Sequence, residues 1–174
     1  MLFRSSGSPV WEKEDLAELK EIKIPSQLIR FYQELNPVNA PMNNAGITLA
    51  DLAGIKEEYL TLAPGCYMIK WGFLVIATTI GGDPVLIDLN DEALPVYIAD
   101  HTLLMGDEFR EGNKVYFPYP TDELKEEYEN ETIPVTYENV KKCLHLIEDR
   151  FDVFMDKLSC DEYDDLEEML HEMN

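Results

Sequence analysis

Basic residues are few in this chain. Its 174 residues include 14 Lys and Arg against 35 Asp and Glu, which gives a formal net charge of −21 at pH 7. Affinity for nucleic acids comes largely from Lys and Arg that displace counterions condensed on the phosphates, so we expect no direct binding to DNA or RNA. A surface of this charge keeps a protein soluble and attracts cations and basic proteins.

Cysteine is also scarce. Cys66, Cys143 and Cys160 are widely spaced and form no CxxC pair, so the sequence offers neither a disulfide framework nor a zinc-finger spacing. It contains no run of about 18 apolar residues that would span a membrane, and no apolar segment of signal-peptide length follows Met1. These absences favour a reducing compartment, and we expect a cytoplasmic protein that does not insert into a membrane.

The apolar content is ordinary, at 45% hydrophobic and 10% aromatic residues. This composition excludes disorder of the whole chain, because enough apolar surface is available to form a core. The length fits one domain better than two.

Helical signals dominate the N-terminal part. A short helix is predicted for residues 11–21, and a clearer one begins at Pro25 and ends before Asn36-Pro37. The second has apolar residues at the i, i+3, i+4, i+7 spacing of one core-facing side, namely Leu28, Phe31, Tyr32 and Leu35. The pattern of residues 47–62 favours strand and loop.

The residue pattern in the middle of the chain predicts β-strands. Residues 67–79 are rich in aromatic and β-branched side chains, and Gly81-Gly82-Asp83-Pro84 supplies a turn. Alternating residues follow at 85–89, then a second turn at 91–95 and a strand at 96–98. No helix-length segment separates these strands, so the sequence predicts an antiparallel meander and an α+β fold, with a central antiparallel sheet flanked by N-terminal and C-terminal helices.

Two helices are predicted at the C-terminal end. Thr136 is placed to cap a long one, with an apolar stripe that runs from Val140 to Leu158 and includes His145 at its surface or boundary. The last, residues 161–173, is amphipathic, with apolar residues on one side and acidic residues around the rest. Its acidic side is either a solvated helix face or a surface that engages a basic partner.

Catalytic motifs are few. The histidines are His101, His145 and His171, and no nucleophile lies in a GxSxG elbow. The Gly81-Gly82-Asp83 segment lacks the lysine and the spacing of phosphate-binding loops, and residues 161–168 lack the EF-hand pattern. We therefore expect no enzymatic activity, no cofactor and no metal ion. Asp83 with His101 remains the candidate acid–base pair, and hydrogen-bond reach between them is the criterion.

In their order along the chain, these segments resemble the SMI1/KNR4 or SUKH superfamily. The resemblance covers about residues 15–158. It is carried by Ile24-Pro25 with Leu28, Phe31-Tyr32 and Asn36, the aromatic strand to Thr79, Ile80-Gly81-Gly82-Asp83-Pro84-Val85 with Ile87-Asp88, Val96-Tyr97 with Asp100-His101, and a helix with Phe151, Phe154 and Leu158 similar to the family's closing SFxxFL helix. The chain departs from the family at Pro37-Val38, where members often have a Gly pair, and in residues 161–174, which extend past the usual end.

The resemblance implies one SMI1/KNR4-like α+β domain over residues 1–174. Many bacterial members are immunity proteins that neutralise polymorphic toxins, often nucleases, and the fungal namesake is implicated in regulating cell-wall synthesis and in signalling. We therefore expect an immunity protein for a basic nuclease toxin, with a regulatory or scaffold module that binds another protein as the alternative; the oligomeric state stays open. The expected partner-binding residues are Asp83, Asp88, Asp100, His101, Asp164, Asp165, Glu167 and Glu168.

Overall fold

A five-stranded antiparallel sheet forms the centre of the computed structural model, which describes residues 24–35, 37–104, 110–111, 114–117, 120–129 and 131–173. The helix predicted for residues 11–21 lies outside the described residues. The strands are β1 (Ile47–Leu49), β2 (Phe73–Thr79), β3 (Pro84–Asp88), β4 (Val96–Ile98), β5 (Arg110–Glu111), β6 (Lys114–Val115) and β7 (His145–Glu148). The helices are α1 (Ser26–Leu35), α2 (Leu52–Leu60), α3 (Gly65–Met68), α4 (Asp122–Glu127), α5 (Tyr137–Lys142), α6 (Phe151–Ser159) and α7 (Leu166–Met173).

The strand order in the sheet is β1-β2-β3-β4-β7, and every neighbouring pair is antiparallel. The predicted meander of β2, β3 and β4 is confirmed, and helices flank the sheet in sequence, so the predicted α+β class is confirmed as well. In the part of the chain that is described, no helix combines the length and the apolar composition needed to cross a membrane.

Both faces of the sheet are covered. Successive side chains of a strand point to opposite faces, and the buried residues divide accordingly: Ile87 belongs to a cluster with α1, α2, α6 and α7, whereas Leu86 belongs to a cluster with α3, α4 and α5. All five residues of β3 are therefore buried. The two helical layers explain why residues 84–87 of β3 are all apolar.

The long helix predicted from Thr136 to Leu158 is wrong. Thr136 does cap a helix, since its hydroxyl accepts a hydrogen bond from Asn139 N at 3.2 Å, but α5 ends at Lys142. Strand β7 follows and pairs with β4, so His145 lies on a strand, and α6 begins only at Phe151. The two parts of the apolar stripe lie on opposite faces of the sheet: α5 packs in one hydrophobic cluster and α6 in the other. One straight helix cannot bury residues on both faces.

Three other boundaries differ from the sequence-based expectation. Residues 47–62 contain the short strand β1 but also α2, whose N-terminus is capped by Asp51 through a 2.9 Å bond from Gly54 N. Residues 65–71 are helical, and strand β2 starts after Gly72, whose φ of +87° ends the helical turn. Helix α7 begins at Leu166 and not at residue 161.

Candidate functional site at the β2–β3 turn

The turn between β2 and β3 is built by local hydrogen bonds. Gly82 N donates to the Thr79 carbonyl at 3.2 Å, and Asp83 N donates to the Thr79 hydroxyl at 3.0 Å. This geometry buries Asp83, which is 4% exposed, and pushes Ile80 into solvent, where it is 79% exposed. An apolar side chain therefore stands at the tip of the hairpin.

Asp83 joins this turn to the loop after β4. Its Oδ1 accepts a hydrogen bond from His101 N at 2.9 Å and lies 2.9 Å from His101 Nδ1, so the predicted pair is within hydrogen-bond reach. The His101 side chain is 51% exposed, whereas that of Asp83 is 6% exposed. Asp83 thus acts as an internal clamp that presents the imidazole to solvent.

Asp100 caps the same loop. Its Oδ1 accepts bonds from the backbone N and the hydroxyl of Thr102, both at 2.7 Å, and lies 3.9 Å from His101 Nδ1. One ligand-type atom from each of Asp83, Asp100 and His101 lies within 4.8 Å of the others. A histidine nitrogen with two carboxylates is a donor set that suits zinc, but Asp83 is already bonded to His101 and Asp100 to Thr102.

Helix α7 docks against the other side of the turn. Glu167 Oε2 accepts a hydrogen bond from Gly81 N at 3.0 Å, and Leu166 N donates to the Ala45 carbonyl at 3.0 Å. Asp165 Oδ1 accepts from Glu167 N at 3.0 Å and so caps the helix. A Cβ on Gly46 would lie 2.8 Å from that Asp165 oxygen, so this close approach requires glycine.

The structure thereby brings together two groups of predicted residues that are far apart in the sequence. Asp100 and His101 follow β4, whereas Asp164 to Glu168 precede or begin α7, yet both groups adjoin the same turn. We call the combined set the hairpin-end surface, defined by the exposed residues Ile80, Asp100, His101, Asp164, Asp165 and Glu168 and the half-buried Glu167. Ile80 was missed at the sequence level; its only signal was an apolar residue directly before a Gly-Gly turn.

Asp88 lies apart from this surface, at the opposite end of β3, and is 0% exposed. Its Oδ1 accepts from the backbone N and the side-chain amide of Asn90 at 3.0 and 3.1 Å. Its Oδ2 accepts from the Tyr137 hydroxyl at 2.7 Å and from Lys141 Nζ at 3.1 Å. A side chain that is buried and bonded in this way is structural, so Asp88 is not available for direct contact with a partner.

The groups around Asp88 are held in their usual protonation states. A hydrogen bond from the Lys141 ammonium to the Tyr137 hydroxyl, at 3.1 Å, raises the pKa of Lys141, and the Asp88 carboxylate raises it further. Burial, followed by the bond to Asp88, raises the pKa of Tyr137. Neither shift activates a base near neutral pH, and the cluster joins α5 to the sheet.

The fold and this surface define an α+β protein with an acidic, isoleucine-tipped end of its sheet. Comparison of the chain with protein-family models, with curated proteins and with solved structures found no match.

Proposed function

We propose that this protein is a non-catalytic binding protein that neutralises a basic toxin, most naturally a nuclease, as the SMI1/KNR4-like immunity proteins it resembles do. The observation that carries the proposal is the hairpin-end surface, where the exposed Ile80 lies on a turn that is hydrogen-bonded both to the His101 loop and to the acidic start of α7. Acidic groups accelerate the encounter with a basic partner, and a small number of apolar anchors hold the complex.

The charges of this surface are available to a partner. Asp164, Asp165 and Glu168 are exposed, and no described Lys or Arg forms an ion pair with any of them. A nuclease presents a basic surface to its phosphate substrate, so an inhibitor with these carboxylates can occupy the same surface. With a net charge of −21, the rest of the chain adds to this attraction at long range.

The anchor is Ile80. At 79% it is the most exposed of the large apolar side chains described, and its turn is held rigidly by the bonds of Asp83 and Glu167. A preorganised anchor loses little conformational entropy when it enters a pocket on a partner. The surface therefore combines electrostatic steering with a fixed contact point.

The experiment is co-expression with the product of the adjacent gene, followed by co-purification at low and high salt. We expect a complex that weakens with salt and that is disrupted by the charge reversals Asp164→Lys and Glu168→Lys. Glu138→Lys is the matched control, because this exposed glutamate lies on α5 and outside the surface. An equal response to all three reversals would refute the assignment to the hairpin-end surface, and a complex that is insensitive to salt would refute the electrostatic role.

The anchor has its own test. Ile80→Ala should weaken the complex by about tenfold or more, since the loss of a buried anchor costs more than about 1.4 kcal/mol. Leu60→Ala is the control, because Leu60 is also exposed, at 61%, but lies on α2. A salt-sensitive complex with a different basic protein, in the absence of any complex with the adjacent gene product, would favour a regulatory or scaffold module.

The same assay separates binding from catalysis at Asp83 and His101. His101→Gln removes the imidazole and keeps a polar side chain at the exposed position. Neutralisation that follows the measured binding affinity supports a binding role, whereas loss of neutralisation with unchanged affinity would identify the pair as an acid–base centre.

A further inference from the structure

A second surface lies between helices α1 and α6, which enclose an open groove of about 480 Å³. Its floor is aromatic: the rings of Phe31 and Phe151 meet edge to face, with centroids 5.2 Å apart and planes at 89°. Leu35 and Met155 extend this apolar floor. The groove shares no residue with the hairpin-end surface.

The exposure of Leu35 is unexpected for a helix whose apolar spacing predicts a core-facing side. Leu28 and Tyr32 of α1 are buried, at 1% and 2%, but Leu35 is 40% exposed. Phe31 and Leu35 instead lie on the side of α1 that faces the groove. Helix α1 therefore has two apolar sides, one in the core and one open.

The shape of the groove fits a helix. Residues 27–35 of α1 line one wall, and with a rise of about 1.5 Å per residue they extend over about 12 Å, or about two turns of a bound helix. A hydrophobic groove is the usual receptor for an amphipathic helix, whose apolar side lies in the groove.

The rim of the groove selects the charge of that helix. Among the described residues that line it, three carry carboxylates, namely Glu34, Asp152 and Asp156, and one is basic, Arg30. Asp152 is already paired with Arg150, whose hydrogen bond lowers the pKa of the Asp152 carboxyl. Among the residues described, no ion pair engages the carboxylate of Glu34 or Asp156.

We propose that the α1–α6 groove binds an amphipathic helix of a partner protein that carries Lys or Arg beside its apolar strip. The aromatic floor and Leu35 take the apolar strip, and Glu34 and Asp156 pair with basic residues on its two flanks. The acidic rim disfavours a helix of negative charge, including one from a second copy of this chain, because like charges across an interface are repulsive.

The probe is a synthetic Leu/Lys amphipathic peptide of about 14 residues, or about four helical turns, labelled for fluorescence anisotropy. The charge-reversed probe has Glu in place of every Lys. We expect saturable binding of the Lys peptide to the full chain and none of the Glu peptide. Failure of the Lys peptide to bind saturably would overturn the proposal.

Variants then locate the site. Leu35→Glu places a charge on the apolar floor and should raise the Kd by about tenfold or more, the equivalent of at least about 1.4 kcal/mol. Leu60→Glu is the matched control, since it adds the same charge at an exposed leucine on α2. Equal effects of the two substitutions would mean that the peptide binds the net charge of the protein and not the groove.

Three more measurements complete the test. Asp156→Lys should weaken binding more than Glu138→Lys, although both change the net charge equally; equal weakening would overturn the role of the rim.

In the NMR spectrum, the Met155 methyl resonance should shift on titration with the Lys peptide. A dimer in light scattering that Leu35→Glu dissociates would overturn the proposal in favour of a second copy of the chain as occupant.

Discussion

The buried carboxylate of Asp88 provides a sharp test of how α5 is held to the sheet. Lys141→Met keeps an unbranched side chain that is one atom shorter and removes its ammonium group. Breaking a buried ion pair costs about 3 to 5 kcal/mol, but Asp88 keeps three other hydrogen bonds and Lys141 is 37% exposed, so solvent screens part of the interaction. We expect a loss of about 2 to 3 kcal/mol in the free energy of unfolding, or a fall in Tm of about 4 to 12 °C.

Urea denaturation of a double-mutant cycle measures the coupling. Asp88→Asn replaces one accepting oxygen by an amide that donates, so it should cost about 3 kcal/mol. Once one partner is gone, removal of the other costs less, and the double variant should lose about 1 to 2 kcal/mol less than the sum of the single losses. Additivity within about 0.5 kcal/mol would refute the reasoning. Lys125→Met is the control, because Lys125 pairs with an exposed aspartate and its loss should leave stability unchanged.

The pH dependence follows from the raised pKa of Lys141. A basic group whose pKa is higher in the folded state contributes stability that is fully present below its ordinary pKa, about 10.5, and is lost as the pH rises through the folded-state value. The difference in stability between the wild type and Lys141→Met should therefore stay constant from about pH 6 to about pH 9. A difference that shrinks over this interval would contradict the assignment.

Three further predictions concern the cysteines, the glycines and one helix cap. Cys160 is exposed, whereas burial raises the pKa of Cys143 to about 11. Alkylation at pH 8, followed by mass spectrometry, should therefore modify Cys160 first and Cys143 only on unfolding. Equal rates of alkylation in the native state would contradict the structure. Gly72→Ala should destabilise the protein more than Gly82→Ala. Both glycines have positive φ, but a Cβ on Gly72 would lie 2.2 Å from the side-chain amide of Asn90, whereas a Cβ on Gly82 would meet open space. Equal losses of stability in thermal unfolding would mean that the contact at Gly72 relaxes freely. Asp51→Ala should cost about 1 kcal/mol by removing the N-cap of α2, and Asp51→Ser should recover most of it; a serine variant as unstable as the alanine variant would exclude the capping role.

Much of the sheet could be predicted because its signals are local. The Gly81-Gly82 turn and the second turn at 91–95 bound a strand that is apolar except for Asp88, and the intervals are too short for a crossover helix. The same local signals failed at residues 136–158, where a helical spacing of apolar residues continues across strand β7. Spacing alone does not show that the two halves of the stripe lie on opposite faces of the sheet.

The residue types of the candidate site could be predicted from the sequence, but their arrangement into one surface could not. Asp83 and Asp88 look alike in the sequence, since each is an aspartate at one end of the same strand. The structure makes one a clamp for the His101 loop and the other a buried partner of Lys141. That difference depends on His101 and Lys141, which lie 18 and 53 positions away along the chain, so no local sequence pattern indicates it.

By itself, the sequence determined the acidic charge, the antiparallel meander, the helix after Pro25 and the cap at Thr136, because each depends on composition or on residues a few positions apart. Only the tertiary structure decided that Glu167 accepts a hydrogen bond from Gly81, 86 positions away, and that Ile80 is exposed. The reason is physical: charge and spacing belong to the chain, whereas exposure and neighbourhood exist only once both faces of the sheet have been covered.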